Sequence, residues 1–375
     1  MNYKLIETKL NDKCLKHNNP YIPNNYYNIE QVLSIGDIHG DFTLLLNILF
    51  KCNIIKIIKN PKEININQII HIKYLEYLDK PLIDYYVEIN TKLDNILIIQ
   101  VGDIMDIRES TNTNFKDNSE KIIKFIEKLS KRINILNKNY HFISLFGNHE
   151  LNHIIKDKKN KFIYDNKYNF ICNYKLIVNV NDNYVFVHSG LIKEKMIKYF
   201  DKYIKPNMTM RDKINIFNII FNYILLKNYL KNNKYNEKDF ILKILSIRQY
   251  ERPEKYNILP YKKLKGVNVY NFNKYQCNLL FSKLSSENKY YCPKEDFNNF
   301  INHYKFYTLN NMIIGHNAGY QTDIIEYDNY DKKNKIFIID NLKSRAYNEN
   351  TTYYNNNIPC ALLLDVLNNN YSFIY

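Results

Sequence analysis

Apolar residues along this chain gather in short runs, and run after run ends on a glycine beside acidic, amide or imidazole side chains. Residues 31–35 form such a run, of strand length, stopping at Gly36 and Asp37; after Asp41, residues 42–49 are apolar enough for a buried helix. Residues 95–101, rich in isoleucine, stop at Gly102 and Asp103, and residues 141–146 stop at Gly147 and Asn148. Between these two runs, residues 119–136 carry Ile122, Ile123, Ile126 and Leu129 at helical spacing, which predicts a crossover helix. Strand, polar loop and helix in that rotation is the rhythm of a parallel sheet.

The second half reads differently. Residues 184–187 lead into His188, Ser189 and Gly190, and residues 312–314 into Gly315 and His316. Runs at 322–327, 335–339, 361–366 and 371–375 then follow without intervening helices, predicting an antiparallel-rich sheet that closes the domain. The expected fold is α/β, two packed sheets flanked by helices. Residues 1–30 are polar, contain Pro20 and Pro23, and read as an N-terminal arm. Residues 31–375 read as one domain, with insertions at about 53–94 and 192–305; the second includes a helix-like stretch at 211–230. No internal repeat of fixed period is evident.

Composition narrows the picture. A chain of 375 residues with 45% hydrophobic content can bury a large core. Its net charge of +15 favours an anionic partner: a phosphorylated protein, a nucleotide or other small phosphoester, nucleic acid or an acidic surface. Lysine and arginine are scattered among asparagine and tyrosine, so a well-solvated basic surface accounts for the charge equally well. The six cysteines are far apart, with no C-x-x-C pair, which predicts a reducing compartment, the cytosol. Charges interrupt the first residues, and no segment reaches about 18 uninterrupted apolar residues, so neither secretion nor membrane spanning is expected. Only eight glycines are present, and six of them (Gly36, Gly40, Gly102, Gly147, Gly190 and Gly315) lie in the polar blocks. Glycine persists where a backbone turns sharply or closely approaches a ligand.

In open α/β sheets, ligands bind beyond the carboxyl ends of strands. The blocks collect Asp37, His39, Asp103, Asp106, Asn148, His149, His188 and His316 at such ends. This mixed oxygen and imidazole set suits two cations of the Zn, Fe or Mn kind, provided one carboxylate bridges.

Taken in order, G-D-x-H-G at 36–40, G-D-x-x-D at 102–106, G-N-H-E at 147–150, H-S-G at 188–190 and G-H at 315–316 resemble the signature of the calcineurin-like metallophosphoesterases. The G-N-H-E block is similar to that of their phosphoprotein phosphatase branch. Residues 339–347 resemble a segment near the end of its bacterial-like members, with Leu342 in place of a glycine. The resemblance implies a four-layer αββα sandwich with two mixed β-sheets. It implies that Asp37 and His39 hold a first divalent metal, Asp103 bridges, and Asn148, His188 and His316 complete the second. A hydroxide between the metals would attack phosphorus, with His149 protonating the leaving oxygen and Asp106 orienting His149. The implied activity is hydrolysis of phosphate monoesters, foremost phosphoserine and phosphothreonine in proteins.

The chain also departs from the pattern. The family's Asp-Arg-Gly is here Asp106-Ile107-Arg108, which moves the phosphate-gripping guanidinium by one residue. Arg248 lies in a segment resembling one that supplies a second phosphate-binding arginine, with Ile247 in place of tryptophan, and Arg345 is a third candidate. Asn317 and Ala318 follow His316, so the second histidine of the phosphodiesterase-type G-H-x-H is absent. Two other readings stay open: a dinucleoside polyphosphate hydrolase, and a phosphate-binding scaffold with weak turnover.

Overall fold

The computed structural model describes residues 3–16, 25–58, 69–77, 80–92, 95–105, 117–136, 141–147, 149–151, 168–188, 200–231, 293–315, 324–329, 332–339 and 360–374. Five of the candidate site residues, Asp106, Arg108, Asn148, Arg248 and His316, lie outside that set, as does Arg345.

Two mixed sheets face each other. The first, in the order β14-β13-β2-β6-β7, is built from β2 (Gln31–Ile35), β6 (Ile96–Gln100), β7 (His141–Ser144), β13 (Ala361–Asp365) and β14 (Asn370–Ile374). Its strands β2, β6 and β7 are parallel, and β13 joins β2 antiparallel. The second, in the order β1-β8-β9-β10-β12-β11, holds β1 (Asn25–Tyr26), β8 (Ile177–Val180), β9 (Tyr184–Val187), β10 (Asn311–Ile314), β11 (Ile324–Asn329) and β12 (Lys332–Ile338). The runs expected to form an antiparallel-rich sheet do pair antiparallel, as β11 with β12 and β13 with β14, but they are split between the two sheets and each sheet is mixed: in the second, β9, β10 and β12 run one way and β1, β8 and β11 the other. The parallel step from β9 to β10 goes with α5 (Pro293–Tyr304), which precedes β10 and returns the chain to the same end of the sheet.

Why the central strands read as nearly unbroken apolar runs is plain from their two faces. In β6, Leu97 and Ile99 point between the sheets, whereas Ile96 and Ile98 point out toward helices. The same alternation sends Phe186 inward and Val185 outward in β9, and Ile313 inward and Met312 outward in β10. One layer is therefore enclosed by sheet on both sides. Outside the first sheet lie α2 (Phe42–Lys51) and α3 (Ser119–Leu136); outside the second lie α1 (Tyr3–Lys16), α4 (Met210–Lys231) and α5. The result is the four-layer αββα sandwich.

Local chemistry starts and stops these helices. Asp41 caps α2 by accepting from the Leu44 N–H at 3.1 Å. Thr209 and Asp212 form a reciprocal cap on α4: Asp212 accepts the Thr209 N–H at 3.2 Å, and Thr209 Oγ1 accepts the Asp212 N–H at 3.1 Å. Buried on most sides, α4 carries Asn218, which accepts from Leu176 N and Ile177 N and donates to Ile177 O. That amide ties α4 to β8, so part of the expected 192–305 insertion belongs to the core. Within the 53–94 stretch, β3 (Ile55–Ile58), β4 (Ile69–Tyr77) and β5 (Lys80–Ile89) form a separate antiparallel sheet beside α2.

Where the sequence suggests a polar arm, residues 3–16 instead form α1, which seats Ile6, Leu10 and Cys14 against the core. Cys14 and Cys172 form a disulfide, and both are fully buried. This pair stands against reading the cysteines as a set kept reduced, because structural disulfides persist in oxidising surroundings. Cys52 and Cys360 lie outside that disulfide; the Cys360 thiol donates to Ile374 O at 3.3 Å, and burial pushes the Cys52 pKa up to about 12. No helix among the described residues is long and apolar enough to cross a membrane.

Candidate metal centre

Four strand ends meet at one edge of the sandwich. β2 ends before Asp37 and His39, β6 before Asp103, β7 shortly before His149, and β9 immediately before His188. Asp103 Oδ2 lies 3.5 Å from His188 Nε2, 3.8 Å from His149 Nε2 and 3.9 Å from His39 Nε2. Asp37 Oδ2 is 3.7 Å from His39 Nε2, and Asp37 Oδ1 is 3.9 Å from His188 Nδ1. All five side chains are buried or nearly so. Two overlapping clusters result, His39 with Asp103 and His149, and Asp37 with Asp103 and His188, each with ligand atoms within 4.8 Å of one another. Asp103 belongs to both.

The backbone is bent to make this possible. His39 has φ of 47° and Asp103 of 54°, the left-handed region that costs a residue with a side chain about 1–3 kcal/mol. Hydrogen bonds hold both in place: the N–H groups of Ile38 and His39 donate to Asp103 O at 3.0 and 2.9 Å. Close approach also demands glycine. Gly102 has φ of 104°, and a Cβ there would come within 2.7 Å of His188 Nδ1. A Cβ on Gly147 would run into the Asp103 carboxylate and backbone N. Gly147→Ala is therefore expected to cost about 1–3 kcal/mol in urea unfolding and to lower metal content in the same preparation, as overpacking at a rigid contact does.

Two side chains that sequence reasoning left without a job organise the centre. Glu150 is fully buried and accepts three backbone N–H bonds, from Asp103 at 2.9 Å, Met105 at 2.9 Å and Gly147 at 2.8 Å. It thereby lashes the loop after β6 to the loop after β7. Burial, and then the nearby Asp103 carboxylate, push its pKa up to about 7. Asp103 Oδ1 in turn accepts the His149 N–H at 2.9 Å. The other is Gln100, whose amide bonds to Gly36 and Gly102. Membership of the G-N-H-E block was the signal for Glu150; for Gln100 it was a lone amide closing an apolar run.

His188 Nδ1 sits 2.8 Å from Val101 O, which fixes the tautomer with Nδ1–H donating and leaves Nε2 facing Asp103. Burial would lower the His188 pKa, but the Asp103 carboxylate and then that of Glu150 outweigh it, so the net shift is upward. Two carboxylates and three imidazoles, gathered and buried, are a donor set that suits a divalent cation of borderline softness, and a cation there would reverse these pKa tendencies.

A four-layer sandwich with such a cluster at the carboxyl ends of its parallel strands has the architecture of a metallophosphatase. Residues 31–270 match the calcineurin-like phosphoesterases, and the chain belongs to that family of metal-dependent phosphoester hydrolases. Among solved structures it is similar to the cold-active protein tyrosine phosphatase of a psychrophilic Shewanella species, at 13% identity and a TM-score of 0.43, over 95% of this chain and 83% of that one. A mutant cold-active protein tyrosine phosphatase gives the same figures. A further cold-active protein tyrosine phosphatase structure is similar at 14% identity and a TM-score of 0.42, over 92% of this chain and 76% of that one. No curated protein matches the sequence.

Proposed function

We propose that the protein hydrolyses phosphate monoesters, with phosphoserine and phosphothreonine side chains of proteins as its substrates. The observation that carries this reading is Asp103, whose Oδ2 lies within 4 Å of three imidazole nitrogens and belongs to both clusters. In this reading Asp37, His39 and Asp103 hold one divalent cation, and Asp103, Asn148, His188 and His316 hold a second. Bound there, Mn, Fe or Zn ions would supply a water acidic enough to act as nucleophile near neutral pH and a clamp for phosphate oxygens. His149 donates its proton to the departing serine or threonine oxygen, and Asp106 orients its ring. Arg108 and Arg248 grip the phosphate with planar guanidinium forks. The net charge of +15 favours an anionic phosphoprotein, and the lack of a second histidine after His316 favours monoesters over diesters.

The test is phosphate release by the manganese-loaded protein from an aryl phosphate, a phosphopeptide panel and dinucleoside polyphosphates, with and without chelator. Chelator-sensitive release from phosphoserine and phosphothreonine peptides is expected. Preference for the dinucleoside polyphosphates would replace the substrate assignment with anhydride hydrolysis. Bound metal with no chelator-sensitive turnover would point to a phosphate-binding scaffold.

A further inference from the structure

We propose that Gln100 is a positioning residue that sets the separation of the two carboxylates, Asp37 and Asp103; the proposal rests on the two-cation reading above. Strands β2 and β6 run parallel and in register as far as Ile35 and Gln100. The Val101 N–H donates to Ile35 O at 2.9 Å as a last rung, and the strands then part. Gly36 turns its N–H to Cys360 O at 3.3 Å, while Gly102 takes its φ of 104°. The Gly36 carbonyl and both backbone polar groups of Gly102 thus leave the ladder in the buried interior, where a polar group without a partner destabilises the fold.

One side chain meets all three. Gln100 is fully buried; its Oε1 accepts the Gly102 N–H at 3.0 Å, and its Nε2 donates to Gly102 O at 2.5 Å and to Gly36 O at 3.3 Å. A primary amide carries an acceptor and two donors on one planar group, and no other side chain of this length does. Leucine would fill the volume and leave three groups unmet. Glutamate would set an oxygen against two carbonyl oxygens. Gly36 and Gly102 each directly precede a carboxylate, Asp37 and Asp103. The amide therefore joins the turns at their roots, directly before the two carboxylates, while the Ile38 and His39 N–H bonds to Asp103 O join them beyond; its loss loosens the root and lets the carboxylate separation change.

The experiment compares the wild-type chain with Gln100→Leu, Gln100→Glu and a control, Asn218→Leu. The control removes another buried amide that makes four hydrogen bonds, to Leu176, Ile177 and Ile214, away from the carboxylates. Manganese stoichiometry and affinity are read by equilibrium dialysis, coupling between ions by electron paramagnetic resonance, and stability by urea unfolding. Wild type is expected to take up two coupled ions. Both Gln100 variants are expected to bind the second ion about 10–100-fold more weakly, the usual consequence of losing a group that orients ligands. At matched loading they give the signal of isolated ions. Asn218→Leu is expected to lose stability yet keep two coupled ions. Either Gln100 variant folding with two coupled ions at wild-type affinity would overturn the clamp, as would equal loss of coupling in the control. A wild-type chain that binds fewer than two ions would instead overturn the two-cation reading, and the clamp with it.

Discussion

Asp103→Asn is expected to abolish phosphate release while making the metal-free protein more stable. The two effects come from the same atom. Asp103 Oδ2 is the point at which both ligand clusters meet, so its loss removes a donor from each. Turnover should fall by at least about 10³-fold, the upper range for loss of a single preorganised electrostatic contact. In the metal-free chain, however, the same carboxylate lies buried close to Glu150 and contributes to pushing its pKa up. Asparagine removes that repulsion and can keep the carbonyl oxygen that accepts the His149 N–H. A gain in the presence of chelator is expected, of the size of a single stabilising substitution, about 0.5–2 kcal/mol, with relief of the Glu150 repulsion outweighing the lost attraction to His188. Manganese at a hundred times its dissociation constant should stabilise the wild type by about 2.7 kcal/mol and leave the variant little changed. Thermal melts with and without manganese, alongside phosphate release, check all three points. A variant that keeps both manganese-dependent stabilisation and turnover would remove Asp103 from the centre of the assignment.

His149→Ala should cut hydrolysis of a phosphoserine peptide by about 10²–10⁴-fold, the usual worth of a positioned general acid. A nitrophenyl ester should lose far less, because its leaving oxygen departs as a stable phenolate and needs no proton. Metal content should not change. The structure makes this comparison necessary, since His149 Nε2 lies within ligand reach of His39 and Asp103, and the His149 and His39 rings meet edge to face at 4.6 Å. If His149 were a ligand, both esters would suffer alike and bound metal would fall. Leaving-group dependence therefore separates proton donor from ligand in one protein preparation.

Much of the frame was legible because central strands buried on both faces must be apolar throughout, and residues 119–136 became helix over the range their spacing predicts. What escaped notice had weak or ambiguous patterning. α1 spaces its buried Ile6, Leu10 and Cys14 among lysines and acids, so its mean character is polar and only packing against α4 reveals its face. β8 interrupts Ile177, Val178 and Val180 with Asn179, whose amide is engaged by Asn25, Tyr27 and Asp182 at the sheet edge. Strand direction in the second sheet depends on α5, whose apolar positions are sparse. At the site, chemically distinctive side chains in repeated blocks led to Asp37, His39, Asp103, His149 and His188, which the fold gathers. Gln100 and Glu150 act on backbone rather than on ligand, so a lone amide closing an apolar run and a place in the G-N-H-E block were all the signal they left.

The layer enclosed by the two sheets has a consequence for how the molecule breathes. Ile98 and Ile99 are joined by one peptide bond yet answer to different surroundings, one roofed by helices that can fray, the other by sheet alone. Amide protons of β6 and β10 should then be among the last to exchange with deuterated solvent, well after those of α1 or α2. The outer helices can open and close on this frame while the strand ends bearing Asp37, Asp103 and His188 stay aligned, so thermal agitation at the periphery need not reach the chemistry.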